Sequence, residues 1–355
     1  MQNDPRDLDG KKVAEALSLL GRNESLRQQL IALCLNAEDV LEHGGSCRED
    51  ITGPIVDAMH HEDDVYTKEL SDGTKVSYLY RTKIARDLLL APEQNLTHLW
   101  EPQTTKLLLH LAASASGDLV VGGAYFGDQA LLAGKSLAPK GLAVHCFEPN
   151  NAQAAMLRSN IELNGYQNFT VNTKGLWSKS GNSMRLDGFD SFANVVAAPD
   201  GEGFETITID DFVSTNNLTV GLIQLDIEGS ELAALEGASE TLDRDLPNVI
   251  FELHRSYVDW DDGLAATDIC RLFLDRDYQV FAIRDINSHH EMPEHKIEIV
   301  ELDRVYLEGP HHGFNMVAFK PGFQIDDAVF RIMRDVSPKL LPHKDPQLHH
   351  PTEGF

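Results

Sequence analysis

Acidic and imidazole side chains end two short apolar runs of the chain. Asp226 and Glu228 end "GLIQLDIEG", and Glu252 and His254 end "PNVIFELH". If these runs are neighbouring parallel strands, their ends meet at the edge of the sheet where ligands bind. Crowded carboxylates raise one another's pKa, and histidine titrates near neutral pH. We therefore predict Asp226, Glu252 and His254 as catalytic residues, with His254 the best general base; a hydrogen-bonded rim without catalytic duty is the alternative.

A glycine-rich turn, "VVGGAYFGDQA", spans residues 120–130. Glycine lets the backbone adopt positive φ and pass close to a ligand, and a helix that follows directs its N-terminus at the same point. Glu148 follows 25 positions after Gly123 and can accept both hydroxyls of a ribose, while Pro149 ends its strand. The turn lacks the lysine of a phosphate-binding loop, so ATP hydrolysis is not expected. We predict a nucleotide-type cofactor site here.

Short apolar strands alternate with helices of about ten residues from residue 118 onward. This rhythm predicts βαβ units and a parallel sheet covered on both faces, and a final strand, "GFNMVAFKP", that follows a loop and can insert antiparallel. Before residue 118, helical periodicity over 9–44 and an Asp-Gly hairpin over 65–81 are expected. We divide the chain into a helical extension (1–60), a hairpin and helix (61–117), the core domain (118–322) and a C-terminal helix with a mobile tail (323–355).

The motif order resembles the FkbM family of S-adenosylmethionine-dependent methyltransferases. The similarity covers about 65–320, and its most specific parts are "LDIEGSELAALEGA" and "FEPN" followed by "NIELNG". The resemblance implies a class I methyltransferase fold, a Rossmann-like doubly wound sheet of seven strands with the last antiparallel. It implies methyl transfer from S-adenosylmethionine, usually to a hydroxyl oxygen of a sugar or natural product. The implied cofactor-binding residues are Gly122, Gly123, Ala124, Tyr125, Gly127, Asp128, Glu148, Pro149, Leu176, Trp177 and Asp226.

The sequence departs from the family pattern at three positions. Val121 stands where the family carries an acid, Tyr125 where it carries asparagine, and Gln224 where it carries lysine. Loss of the acid would cost about 1–3 kcal/mol if its partner stayed unpaired. Asp128 could replace that acid, and Tyr125 could pack against the sulfonium as a cation–π contact.

Composition sets the broad class of the protein. The formal net charge of −26 over 355 residues disfavours nonspecific binding to nucleic acid or anionic membranes, and it gives only slight support to a cationic substrate. No apolar run is long enough to span a bilayer, no secretory signal is recognisable, and the four cysteines form no CxxC pair. We expect a cytoplasmic enzyme with a small-molecule or saccharide acceptor, and a homo-oligomer through the N-terminal helices is an alternative to their ordinary packing.

Metal binding is not predicted, although two groups of residues raise the question. Asp226, Glu228 and Glu252 could hold a divalent cation at the rim. Residues 185–205 and 285–313 are expected to be irregular, polar, acceptor-binding insertions, and the histidines of the second match no standard metal spacing. Those histidines are His289, His290, His295, His311 and His312.

Two other functions remain open. A cofactor-binding subunit that has lost catalysis would explain Val121 and Gln224. A nicotinamide-dependent oxidoreductase would share the glycine turn and the ribose acid, but "DIEGSE" argues against it.

Overall fold

The structure is a computed structural model of the whole chain. It describes residues 10–43, 46–81, 83–91, 96–187, 194–199, 202–286, 291–307 and 313–340. The chain divides into two compact units, Met1–Lys68 with Tyr78–Glu93, and Glu69–Ser77 with Gln94–Phe355. Among the described residues, none of the helices combines the length and the apolar character needed to cross a bilayer.

The first unit is mainly helical. The helix α1 ends where Gly21 packs so closely on Met59 that a Cβ atom would lie 2.0 Å from its carbonyl oxygen. Buried Arg86 bonds Asp57 at 2.9 Å and Glu49 at 2.7 Å. The helices are α1 (Gly10–Gly21), α2 (Glu24–Val40), a π-helical turn (Arg48–Thr52), α3 (Gly53–Met59) and α4 (Lys83–Leu90).

The helical periodicity expected over 9–44 is confirmed by α1 and α2, but much of its apolar face is not packed. Leu20 is 41% exposed and Leu33 is 62% exposed, whereas Ile31 and Cys34 are buried in α2. The predicted hairpin is present as β1 (Val65–Glu69) and β2 (Lys75–Leu79), a two-stranded sheet.

The second unit is built on a nine-stranded sheet with the order β15-β13-β12-β14-β11-β10-β3-β4-β5. Val120, Ile223 and Phe251 lie in its buried core. The strands are β3 (Asp118–Gly122), β4 (Val144–Phe147), β5 (Phe169–Asn172), β10 (Val220–Leu225), β11 (Asn248–Leu253), β12 (Gln279–Ile283), β13 (Ile297–Glu301), β14 (Phe314–Phe319) and β15 (Phe330–Met333).

Helices join the strands of this unit, and three of the seven described here begin at a side-chain cap. Asn150 accepts the N–H groups of Ala152 and Gln153, and Thr208 accepts that of Asp211. The helices are α5 (Pro102–Ser114), α6 (Ala130–Leu137), α7 (Asn151–Leu163), α8 (Ile209–Asn216), α9 (Glu231–Glu236), α10 (Ser239–Asp245) and α11 (Asp268–Leu274). The single helix predicted after "DIEG" is therefore two, because Gly237 and Ala238 interrupt it.

The seven predicted strands are all present and follow the expected topology. β3, β4, β5, β10 and β11 are parallel, and β14 runs antiparallel between β11 and β12. The strand order reverses between β3 and β10, so a crevice for a ligand is expected at their carboxyl ends. The predicted count of seven is corrected to nine, since β13 and β15 extend the sheet beyond β12.

Three regions differ from the expectation of irregular or helical structure. The 185–205 region contributes to a four-stranded sheet, ordered β6-β9-β7-β8, with β6 (Gly175–Leu176), β7 (Ser183–Asp187), β8 (Asn194–Ala197) and β9 (Phe204–Ile207). The 285–313 region contains β13, and 323–340 contains β15 where a C-terminal helix was predicted. Each of these segments pairs with a neighbouring strand, and β13 also carries the alternation "IEIVE" that is typical of a strand.

Candidate functional site

The glycine turn joins the ends of β3 and β10. Gly123 has φ +73°, and a Cβ atom there would lie 1.8 Å from the carbonyl oxygen of Asp226. The Asp226 N–H in turn donates to the Gly122 carbonyl at 3.1 Å. Only glycine permits this approach, so the turn and the "LDIEG" strand end form one continuous wall, as predicted from their spacing.

The side chain of Glu148 fixes the conformation of the glycine turn by hydrogen bonding to its backbone. Its Oε2 accepts the Tyr125 N–H at 2.8 Å, and its Oε1 accepts the Asn150 N–H at 2.8 Å. Tyr125 has φ +47°, which costs a residue other than glycine about 1 kcal/mol or more, and the Glu148 bond offsets that strain. Glu148 is buried at the carboxyl end of β4, beside the turn. Ala124 is buried in the turn, and Pro149 follows Glu148 at the end of β4.

The end of the turn leads into α6. Gly127 has φ +95°, and a Cβ atom there would lie 2.7 Å from Leu157 of α7. Asp128 follows, with a pKa raised to about 7 because the protein desolvates its carboxyl and Asp226 repels the charge. The charge of Asp226 therefore acts on the carboxyl of Asp128.

Two of the three departures from the family pattern, Val121 and Gln224, are neighbours. Val121 is buried and pairs with Gln224 in the ladder of β3 and β10 and with Cys146 of β4. Gln224 Nε2 donates to the side chain of Gln129. Gln224, which stands where the family resemblance implies a lysine, is thus bonded to a second neutral amide, that of Gln129.

Leu176 and Trp177 lie where β6 meets the glycine turn. Leu176 is buried, and its Cδ1 lies 3.0 Å from the position of a Cβ atom on Gly122. Trp177 is half-buried, and its N–H donates to the Ile207 carbonyl at 3.1 Å. Leu176 thus lies beside the turn, whereas the described backbone contacts of Trp177 are with Ile207 and Gly237; their role at the adenine stays a prediction.

The predicted rim residues Asp226, Glu228 and Glu252 come together, with one carboxylate oxygen from each within 4.8 Å of the others. Their pKa values are all raised, first because the surrounding protein desolvates them, and the pKa of Glu228 reaches about 7. Glu231 accepts the N–H groups of Ile227 and Gly229 at 2.8 and 3.0 Å, which holds the "DIEGSE" turn. The three rim oxygens could hold a cation, but the described residues give no second sign of a metal.

His254 lies beside this rim, but its geometry does not favour the role of base. Its Nδ1 accepts the Ser256 N–H at 3.0 Å, so a neutral ring carries its proton on Nε2. A Cβ atom on Gly313 would lie 2.1 Å from Glu252 Oε1 and 2.9 Å from His254 Cδ2, which shows how closely these two residues approach the same point. His254 can donate a hydrogen bond there, and its predicted role as base stays a prediction.

Sequence reasoning missed four residues at the same edge of the sheet. Glu101 precedes α5, Asp285 follows β12, Asn315 lies in β14, and Lys339 lies in the final described segment; all four are buried. Lys339 acts on the pKa values of Glu101, Asp226 and Glu252 alike, so its charge lies among them. The sequence signal available for Glu101 was its position in "WEPQ", directly before the proline that begins α5.

Of the predicted loop histidines, His289, His290, His311 and His312 lie outside the described residues. His295 is described, and its carbonyl oxygen accepts a hydrogen bond from Lys106. Its ring gives no support to a metal site.

A family model described as the methyltransferase FkbM domain matches residues 122–280. These residues form an FkbM methyltransferase domain. The match begins at the glycine turn and ends within β12, so it contains the turn, Glu148 and the rim carboxylates. Glu101, Asn315 and Lys339 lie outside the FkbM domain match. No curated protein matches the chain.

Three solved structures of methyltransferases have a limited similarity to this chain. The methyltransferase FkbM from Methylobacillus flagellatus is 20% identical, with 57% of this chain and 44% of that chain covered and a TM-score of 0.32. A SAM-dependent O-methyltransferase from Thermotoga maritima is 11% identical, covering 78% and 83%, with a TM-score of 0.34. A SAM-dependent methyltransferase from Agrobacterium tumefaciens is 8% identical, covering 60% and 58%, with a TM-score of 0.36. These values are too low to transfer a substrate or a mechanism.

Proposed function

We propose that this protein binds S-adenosylmethionine and transfers its methyl group to a hydroxyl oxygen of a sugar or natural-product acceptor. The observation that carries the proposal is the contact between the glycine turn and Asp226 within an FkbM domain, with Glu148 anchoring the turn. This arrangement lies at the strand-order reversal, where open α/β sheets bind their ligands.

The residues present fit the cofactor. The absence of a Cβ atom at Gly123 leaves the backbone of the turn close to Asp226, and the carboxylate of Glu148 is fixed beside the turn by the Tyr125 and Asn150 N–H groups. Glu148 would bind the ribose hydroxyls, Leu176 and Trp177 would border the adenine, and Asp128 and Asp226 would face the positively charged methionine part. Two carboxylates with raised pKa values become more stable in their ionised form when a cation binds beside them.

When bound, the cofactor supplies a methyl group already activated by its sulfonium. The protein then has to orient the acceptor, exclude water and remove a proton from the acceptor hydroxyl, which contributes about 10²- to 10⁴-fold in rate. The acids at the carboxyl ends of β10 and β11 are the candidates for proton removal, since Asp226 and Glu252 bring carboxylate oxygens within 4.8 Å of each other.

Isothermal titration calorimetry with S-adenosylmethionine and S-adenosylhomocysteine tests the proposal directly. We expect both to bind, and labelled methyl groups to reach a saccharide or natural-product fraction of the producing cell. Absence of binding by either compound at millimolar concentration would overturn the proposal.

A cofactor-binding subunit without catalysis is the second candidate, favoured by buried Val121 and the neutral Gln224–Gln129 pair. It predicts cofactor binding of ordinary strength with no methyl transfer to any acceptor fraction.

A further inference from the structure

Glu101 occupies the capping position of α5 without capping the helix. Its backbone is left-handed, with φ +49°, and its side chain accepts none of the free N–H groups of the first turn. Asp285 accepts those of Gln103 and Thr104 instead, at 3.0 and 2.7 Å. Asp285, which follows β12, therefore caps the N-terminus of α5 in place of Glu101.

The carboxylate of Glu101 is directed toward the rim by Asn315. Asn315 Nδ2 donates to Glu101 Oε2 at 2.7 Å, and Asn315 is the ladder partner of Glu252. Among the described residues, Asn315 is the one side-chain donor to the Glu101 carboxylate, so Oε1 remains available. Glu101 thus extends the row of acids formed by Asp226 and Glu252.

The position of Glu101 costs free energy. The side chain is 8% exposed, and burial raises its pKa to about 8, with Asp285 and Asp226 adding to the shift and Lys339 and the Asn315 bond opposing it. A buried acid held by one neutral donor on a left-handed backbone is the kind of strain that accumulates at functional sites. Gln103 and Thr104 lie one and two residues beyond Pro102 and show no comparable strain.

We propose that Glu101 is a catalytic residue of the methyl transfer, and that its Oε1 accepts the proton of the acceptor hydroxyl. This inference rests on the proposed function. The O–H bond breaks and the proton passes to Glu101, while the acceptor oxygen bonds the methyl carbon. The carbon–sulfur bond breaks with its electron pair left on sulfur. A carboxylate and a sulfonium thereby become a carboxylic acid and a thioether, and charge balances.

Before the cofactor binds, the carboxyl group of Glu101 is mostly protonated. With a pKa of about 8, Glu101 is about nine-tenths protonated at pH 7. A cationic ligand at Asp226 favours the ionised form of the nearby carboxyl, so Glu101 becomes a base when the cationic cofactor is in place. Lys339, Asp285 and Asp226 are the charged groups that act on it.

Proton release on cofactor binding tests this role without an acceptor. Titrating S-adenosylmethionine calorimetrically at pH 7.5, in buffers of different ionisation enthalpy, gives the number of protons released. We expect Glu101→Gln to release fewer protons than the wild type, by up to about one per site, and Glu236→Gln, an exposed acid of the same unit, to match the wild type. Equal release by Glu101→Gln and wild type would overturn the inference.

Asn315→Ala provides a second variant if Glu101→Gln does not fold. Because it removes a donor to the ionised carboxylate, the curve of proton release against pH should move to higher pH; an unmoved curve would also overturn the inference. Failure of the wild type to bind S-adenosylmethionine would instead overturn the proposed function, so the two failures are distinguishable. With a known acceptor, Glu101→Gln should lower kcat about 10²-fold or more at unchanged cofactor affinity.

Discussion

Glu148 anchors the glycine turn, and we propose that the same side chain binds the ribose. Its two oxygens accept the N–H groups of Tyr125 and Asn150 at 2.8 Å each. A glutamine keeps the shape but turns one acceptor into a donor, which opposes an N–H group.

Glu148→Gln should therefore weaken S-adenosylmethionine binding about 10- to 100-fold, since hydrogen bonds to a charged group contribute about 1.5–3 kcal/mol. Calorimetric Kd values check this, with Glu162→Gln, an exposed acid on α7, as the control. An unchanged Kd would show that Glu148 serves the turn alone.

We infer that the carboxylate of Asp128 supplies the negative charge that the family's acid provides at the position of Val121. Because its pKa is about 7, Asp128 is half protonated at neutral pH and ionises fully as pH rises. We expect the wild type to bind S-adenosylmethionine more tightly at pH 8 than at pH 6, and Asp128→Asn to bind it weakly with a flatter pH dependence. Kd values across this range, with Asp187→Asn as the control, provide the measurement; parallel pH profiles would contradict the assignment.

Restoring an acid at position 121 should not restore the family's site. Val121 is 3% exposed between Gln224 and Cys146, and the Gln224 amide donor is already bonded to Gln129. We expect Val121→Asp to lower the free energy of unfolding by about 1–3 kcal/mol, measured by urea denaturation, without tighter cofactor binding. Tighter binding at unchanged stability would show that the missing acid limits affinity.

At the scale of elements, the turn between β3 and α6 depends on glycine for two separable reasons. Gly123 needs a positive φ and also close contact with Asp226, whereas Gly141 has the same φ, +71°, with nothing within 4 Å of a Cβ atom. Substitutions at Gly123 and Gly141 can therefore distinguish the free-energy cost of a positive φ from the cost of a steric clash.

Gly141→Ala should cost about 1 kcal/mol of stability, the ordinary cost of a left-handed alanine. Gly123→Ala should cost several times more and abolish S-adenosylmethionine binding, because β10 must move away from the turn. Thermal unfolding and calorimetry measure both effects. Equal losses in the two variants would mean that Asp226 does not contact the turn.

The elements that sequence predicted well are those whose pattern is local. The β3 and β10 strands are continuous apolar runs, and Gly123, Glu148 and Asp226 end their strands at fixed spacing, so topology alone brings them together. The β13 strand was missed although its "IEIVE" alternation is a local strand signal, whereas the four residues of β15 form a strand through their pairing with β13.

Glu101 was missed for a related reason. Its role depends on Asp285 and Asn315, which lie 184 and 214 positions away and approach it only through the tertiary fold. No spacing rule within "WEPQ" could reveal that the cap of α5 comes from the end of β12.

At the scale of the whole molecule, buried acids link stability to pH. Asp128 and Glu228 have pKa values of about 7, and Glu101 and Glu231 of about 8. Between about pH 4 and pH 8 the folded protein holds protons that the unfolded chain releases, so the free energy of unfolding falls as pH rises. The net charge of −26 acts in the same direction.

We therefore expect the Tm of the cofactor-free protein to fall steadily from pH 5 to pH 9, measured by calorimetry or circular dichroism. Glu101→Gln should reduce this slope, whereas Glu236→Gln should leave it unchanged. A Tm that is constant or rises over this interval would contradict the raised pKa values.

The position of β14 has a consequence for synthesis on the ribosome. This strand inserts between β11 and β12, although β13 precedes it in the chain. Until Phe319 has emerged, β11 and β12 each present an unpaired, apolar edge, which is the surface most prone to association between nascent chains. The sheet can close only in a late, long-range step, so we expect slow completion of folding and a requirement for chaperones that cover strand edges during translation.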